Sequence, residues 1–206
     1  FCADTLPQLA DCLGFTGRKK ENFLASIARY NEFCETGRDE DFGKDPRVLL
    51  PLCKYEELSQ HRILEALYVA SGIGAVIAYK ACIAGASGGC QAEIGSACSM
   101  AAAALAELHG MELDQIEYAA EVAMEHHLGL TCDPVRGLVQ IPCIERNAVA
   151  AMRAINALSL ANFLTYTRKI SFDVVVNTMY ETGRDLFSKY RETGEGGLAK
   201  YYTGKK

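Results

Sequence analysis

Three cysteines stand at breaks between helix-like segments, and that arrangement constrains the chain more than any other feature. Cys90 lies in GASGGCQAEIG, while Cys132 and Cys143 lie in GLTCDPVRGLVQIPCIERN, which runs from Gly129 to Asn147. Gly and Pro turns of this kind let backbone and thiol approach a compact ligand closely, because Gly accepts positive φ and Pro fixes its own. Cys90 and Cys143 each open a helical segment, where the positive end of the macrodipole favours a thiolate, the form that binds iron and zinc. The spacings, 42 and 11 residues, are too wide for a zinc ribbon, and no Cys-x-x-Cys pair is present. A larger object held between helices fits better. An iron-sulfur cluster normally takes four cysteines; three leave one iron open, which is what separates a catalytic metal from a structural one.

The segments around these breaks read as helices, so the expected fold class is all-α. Thr5 caps a short helix through Leu13, and Phe23, Ile27, Tyr30 and Cys34 mark a second one ending near Gly37. After a charged, Gly/Pro-punctuated loop, Ser59 caps a helix that is apolar on nearly every face through Ile83 and is expected to be central, with Gly72 and Gly74 admitting another backbone. A second Ala-rich helix runs from about Gln91 to Leu108. Asp114 and Glu117 give the next helix a capping box, with Leu113 and Tyr118 as a staple and Gly129 closing it. Ile144, Ala148, Ala151, Ile155, Leu158 and Ala161 then predict a long helix with a narrow apolar stripe. Ser171 caps a last helix to about Phe187, although Val174 to Val176 leaves a strand open, and the Gly-rich tail ETGEGGLAKYYTGKK reads as irregular.

Length and charge narrow the function. The 206 residues suffice for one good-sized domain, or one domain plus a fragment. A net charge of −5 with no basic run excludes the electrostatic footprint of a nucleic-acid binder. The most apolar charge-free stretch, Ala66 to Tyr79, falls short of a membrane span. Nine scattered cysteines and no signal-like start point to a reducing cytosol, where thiols serve metals or packing. The chain begins at Phe1, so an upstream part is expected to be missing or processed.

GASGGCQAEIGSACSMAAAAL, MEHHLGLTCDPVRGLVQIPCIERNA and the closing GGLA resemble the catalytic subunit of the iron-sulfur-dependent L-serine dehydratases, also called L-serine ammonia-lyases, over roughly Leu49 to Lys200. The resemblance implies an all-helical catalytic domain around a 4Fe-4S cluster held by Cys90, Cys132 and Cys143. It implies β-elimination of L-serine to pyruvate and ammonia, with the open iron as Lewis acid and no pyridoxal phosphate. A general base must also lie within reach of the α-proton, and His126, six residues before Cys132, is the candidate. The family segment carrying a PTAG-type turn is absent. Residues 1 to 50 instead resemble the capping region of flavin-dependent fumarate-reductase-like oxidoreductases, in ARYNEFCETGRDEDFGKDPRVLLP, so two parts are expected: 1–50, foreign to the rest and joined near the VLLPL at 48 to 52, and 51–206, dehydratase-like but incomplete at its N-terminal side. A second (beta) subunit or a homo-oligomer is the implied partner. Arg136 stands where many relatives have a small residue, which would alter access to the cluster.

Other readings stay open at this point. A structural zinc module needs a fourth ligand, which only His126 or His127 can offer. A non-catalytic helical iron-sulfur protein needs four thiolates, and an inactive dehydratase fragment needs neither. Cys82 and Cys98 read as packing residues, as do Cys2, Cys12 and Cys34, while Cys53 is undecided. His61 and His109 read as surface or cap residues, and Glu93 and Glu145 as solvated or orienting the site.

Overall fold

The computed structural model describes residues 5–38, 40–41 and 59–203, and the chain divides into two compact units, Phe1–Glu57 and Leu58–Lys206. Cys2, Cys53 and the VLLPL stretch lie outside the described residues. In the first unit, α1 (Leu6–Cys12) starts where the Thr5 hydroxyl accepts from the Gln8 N–H at 3.4 Å. It is followed by α2 (Gly17–Thr36), which ends at Gly37. Ala10 and Phe33 are buried, the Phe15 and Phe23 rings meet edge to face at 5.2 Å, and Arg29 grips Asp41 through two bonds of 2.8 and 2.7 Å. Cys12 is exposed and Cys34 half-buried, as packing or surface thiols.

The second unit is all helical among the described residues, with a single isolated bridge between Cys132 and Arg191 in place of a sheet. Its centre is α5 (Ser96–Leu108), whose small residues Ala102, Ala103 and Ala106 are buried without remainder. Around it pack α3 (Gln60–Lys80), α6 (Leu113–Glu125) and α7 (Cys143–Leu164), while α8 (Phe172–Asp185) lies against α6 and α4 (Gly85–Gly88). A π-helical turn, Gln91–Gly95, leads into α5, so the expected continuous helix from Gln91 is under-wound at its start, directly beside Cys90. Such turns are uncommon and concentrate at functional sites.

Four expectations are corrected. The α3 helix is not central: only Ala66 and Ile77 are buried, and Leu67, Tyr68 and Tyr79 are exposed. Gly72 faces open space, and Gly74 receives the Met100 side chain rather than a backbone. By length and composition α3 is also long and apolar enough to cross a membrane, the one such helix among the described residues, because the helix exceeds its charge-free stretch. It packs along α5, and Arg62 in its first turn donates to the carbonyls of Glu107 and Leu108 at 3.0 and 2.8 Å. The buried face of α7 is Ala150, Ala154, Ala157, Leu158 and Ala161, while Ile144 and Ile155 point outward. Close approach to α5 and α6 selects residue size over hydrophobicity there. The cap of α6 is Glu112, whose N–H donates to Gln115 Oε1 at 3.0 Å, and Asp114 falls inside the first turn. Finally, the Gly-rich tail contains a short helix, α9 (Gly197–Tyr201), whereas the helix expected from Ser171 is present as α8, capped by Ser171 at 3.3 Å and helical through Val174–Val176.

Candidate metal centre

The cysteine site is assembled from loop ends that the helices fix in place. Gln91, fully buried, is the clamp: its side-chain amide donates to the carbonyls of Gly88 and Met179 at 2.9 and 3.1 Å. It also accepts from the Gly129 N–H at 2.9 Å. This ties the break before Cys90 to α8 and to the turn that follows α6. Cys132 is held by its own backbone, its N–H donating to Tyr190 O and its carbonyl accepting from Glu192 N–H, both at 2.8 Å. Cys143 is the first residue of α7, after a cis Ile141–Pro142 bond.

These constraints bring the Cys90 and Cys132 sulfurs and a Glu93 carboxylate oxygen within 4.8 Å of one another. Both cysteines are buried, whereas Glu93 is exposed. Gly85 completes the hollow: a Cβ there would stand 2.9 Å from Glu93 Oε2 and 3.1 Å from Cys132 Sγ, so only glycine leaves the space free. Cys143 is buried as well, but its sulfur is not part of this 4.8 Å group. The remaining motif residues are elsewhere or play other parts. Glu145 is exposed, and Arg136 is exposed in a left-handed turn at φ 56°.

Burial pushes the thiols of Cys90, Cys132 and Cys143 above their usual range. The expected lowering by the helix dipole is therefore outweighed by desolvation. A metal reverses this balance, since a coordinated thiol gives up its proton to the cation. The donor set, two or three sulfurs with a carboxylate beside them in a hollow bounded by glycine, fits a thiophilic metal group and no hard cation.

Two residues absent from the sequence reading complete the site. Arg146 Nη1 donates to Asp133 Oδ1 at 2.6 Å, to the Thr131 carbonyl at 2.7 Å and to Cys90 Sγ at 3.7 Å. Asp133 is only 1% exposed and accepts through its other oxygen from the Leu198 N–H at 2.6 Å. The available signal was proximity: Asp133 adjoins Cys132, and Arg146 sits one helical turn after Cys143. Thr131, Asp133 and Arg146 also line a cavity of about 560 Å³ with Tyr190, Glu195 and Leu198.

His126 does not line that cavity. It borders a separate one of about 280 Å³ with Val122, Val149, Met152, Arg153 and Asn156, and its Nδ1 lies 2.9 Å from the Val122 carbonyl. His127 is buried, its Nδ1 2.7 Å from the Ala123 carbonyl. Cys98 is a packing residue, its sulfur 3.1 Å from the Ala150 carbonyl. His61 is an exposed partner of Glu65.

Comparison with known proteins adds independent information. The sequence pattern of the family described as serine dehydratase alpha chain matches residues 44–199. L-serine dehydratase 2 and L-serine dehydratase TdcG of Escherichia coli (strain K12) are each 54% identical over 155 residues, covering 75% of this chain and 34% of the relative. An L-serine dehydratase of Streptomyces coelicolor is 55% identical over 137 residues, 66% of this chain and 30% of its own length. The chain thus spans about a third of the length of the curated relatives it matches.

Proposed function

The chain belongs to the serine dehydratase alpha chain family, and from that premise we propose that it carries the metal-binding part of an L-serine ammonia-lyase, converting L-serine to pyruvate and ammonia by β-elimination. The observation that carries the reading is the convergence of the buried Cys90 and Cys132 with the exposed Glu93 at a glycine-bounded hollow next to a cavity large enough for an amino acid. Cys90, Cys132 and Cys143 would hold a 4Fe-4S cluster; among the described residues the 4.8 Å group contains Cys90, Cys132 and Glu93, and neither Cys143 nor any other cysteine joins it. When bound, such a cluster supplies Lewis acidity toward the serine hydroxyl at an iron without a protein thiolate.

The chain's own residues have three tasks in this reading. The thiols hold the group, the Gln91 clamp and the Cys132 bridge fix the thiols, and the cavity beside Arg146 orients the substrate and limits water. His126 is not retained as the base, because it borders the other cavity. Its replacement by Gln is expected to leave any turnover within a few-fold of wild type. The described cysteines form no disulfide, in keeping with a cytosolic location.

A second element of the proposal concerns sufficiency. The relatives are about three times as long as their matched part, and the outer faces of α3 and α7 expose Leu67, Tyr68, Tyr79, Ile144 and Met152. Such faces mark contact with further protein, so efficient turnover is proposed to need a second subunit, domain or copy. The test is anaerobic reconstitution followed by titration of L-serine against the cluster's absorption and EPR spectra. A serine-dependent spectral change supports an open iron; a spectrum that never responds, even with a beta subunit of a relative supplied, refutes the catalytic reading.

A further inference from the structure

We infer that Arg146 is a positioning residue for the metal group, acting through Cys90, and that Asp133 holds it in that role while clasping the C-terminal turn to the same point. The inference rests on the cluster reading above. Its basis is one nitrogen with three acceptors. Arg146 Nη1 has two hydrogens, yet Asp133 Oδ1, the Thr131 carbonyl and the Cys90 sulfur all lie within bonding range of it, at 2.6, 2.7 and 3.7 Å. Among the described residues every hydrogen bond of this side chain leaves from that nitrogen. The guanidinium is therefore aimed into the cysteine site rather than spread over the surface, and its side chain is only 17% exposed.

Asp133 explains why the aim is kept. Its carboxylate is almost fully buried, so both oxygens need donors, and it takes one from Arg146 and one from the Leu198 N–H. Gly197, at φ 59°, brings the backbone so close that a Cβ would collide with this carboxylate. The C-terminal helix α9, Asp133, Arg146 and Cys90 thus form one continuous strut. A cationic donor hydrogen-bonded to a ligand sulfur withdraws charge from it, which favours the reduced, more negative state of an iron-sulfur group and protects the sulfur–metal bond.

The experiment uses the full chain, reconstituted anaerobically, and compares wild type with Arg146→Gln, Arg146→Lys and Asp133→Asn. Iron retention against a chelator is expected to weaken about 10- to 100-fold in Arg146→Gln, with the reduction potential moved to more negative values. Arg146→Lys keeps the charge facing Asp133 but carries it on a shorter side chain without the planar guanidinium that is aimed at Cys90. It is expected to fold and to move the potential in the same direction by less. Asp133→Asn should shift the potential as well and, in the metal-free chain, speed tryptic cleavage at Lys189 and Lys200. Ser171→Ala, a cap removal remote from the sulfurs, serves as the control that lowers stability without moving the potential. A wild-type chain that assembles no cluster overturns this inference together with the reading beneath it. A wild-type cluster whose potential and iron retention are matched by Arg146→Gln and Arg146→Lys overturns this inference alone.

Discussion

Among the described residues the molecule buries carboxylates in two places and treats them oppositely. At the cysteine site Asp133 is 1% exposed and both of its oxygens are satisfied, by Arg146 and by the Leu198 N–H. On α6, Glu121 is equally buried, yet its Oε2 has no hydrogen-bond partner among the described residues, because Arg168 Nε stops 3.6 Å away and donates instead to the Ile170 carbonyl at 2.8 Å, while Arg168 Nη2 bonds Glu117 at 2.6 Å. Burial and the neighbouring Glu125 push the Glu121 carboxyl well above its usual range. A fully partnered buried carboxylate specifies geometry, whereas a poorly partnered one such as Glu121 neutralises itself and costs stability. The first pattern marks a built site; the second is a local cost of packing α6.

Breaking the satisfied site should have the largest effect. Asp133→Ala leaves Arg146 buried beside the sulfurs without its counter-ion, and such losses cost about 3–5 kcal/mol; chemical denaturation at pH 7 checks it. Glu121→Gln should do the reverse. The folded chain binds a proton at Glu121 that the unfolded chain releases above the ordinary carboxylate range. The wild type therefore loses stability as pH rises from about 4.5 toward about 8. The Gln variant should lack that slope and be more stable at pH 8 by about 1 kcal/mol, or about 2–4 °C in Tm for a chain of this size. Thermal melts at pH 5 and pH 8 decide this, since a variant less stable than wild type at pH 8 would show that Glu121 is ionised and partnered. Arg168→Gln should be the smallest change, costing less than about 1 kcal/mol because its partner Glu117 is part-exposed. It should extend the wild-type slope to higher pH, as the one cation holding the Glu121 pKa down is removed.

The contrast also explains what could be read in the sequence. Local signals carried far: the Thr5, Ser59 and Ser171 hydroxyls all accept the capping bonds their positions imply. The three cysteines at Gly/Pro breaks likewise marked the site region. Signals that depend on packing did not carry. The apolar periodicity of α7 placed Leu158 and Ala161 correctly on the buried face but also chose Ile144 and Ile155, which are exposed, where the small residues Ala150, Ala154 and Ala157 are buried instead. The α3 helix is apolar on nearly every face and yet buries only Ala66 and Ile77. The α6 cap was misplaced by two residues because Glu112 and Gln115 form a box as competent as Asp114 and Glu117. Arg146 and Asp133 escaped notice because an ion pair thirteen residues apart has no local signature; only the turn through Pro134 and Pro142 brings them together.

The central claim is that Cys90, Cys132 and Cys143, and not Cys98, hold an iron-sulfur group. The most direct test is the iron and acid-labile sulfide content of the anaerobically reconstituted chain and of its four single Cys→Ser variants. The account expects about four irons and four sulfides per chain in wild type and in Cys98→Ser, with content falling to near zero in Cys90→Ser and Cys132→Ser and substantially in Cys143→Ser. One zinc per chain without sulfide, or iron content unaffected by Cys132→Ser, would contradict it.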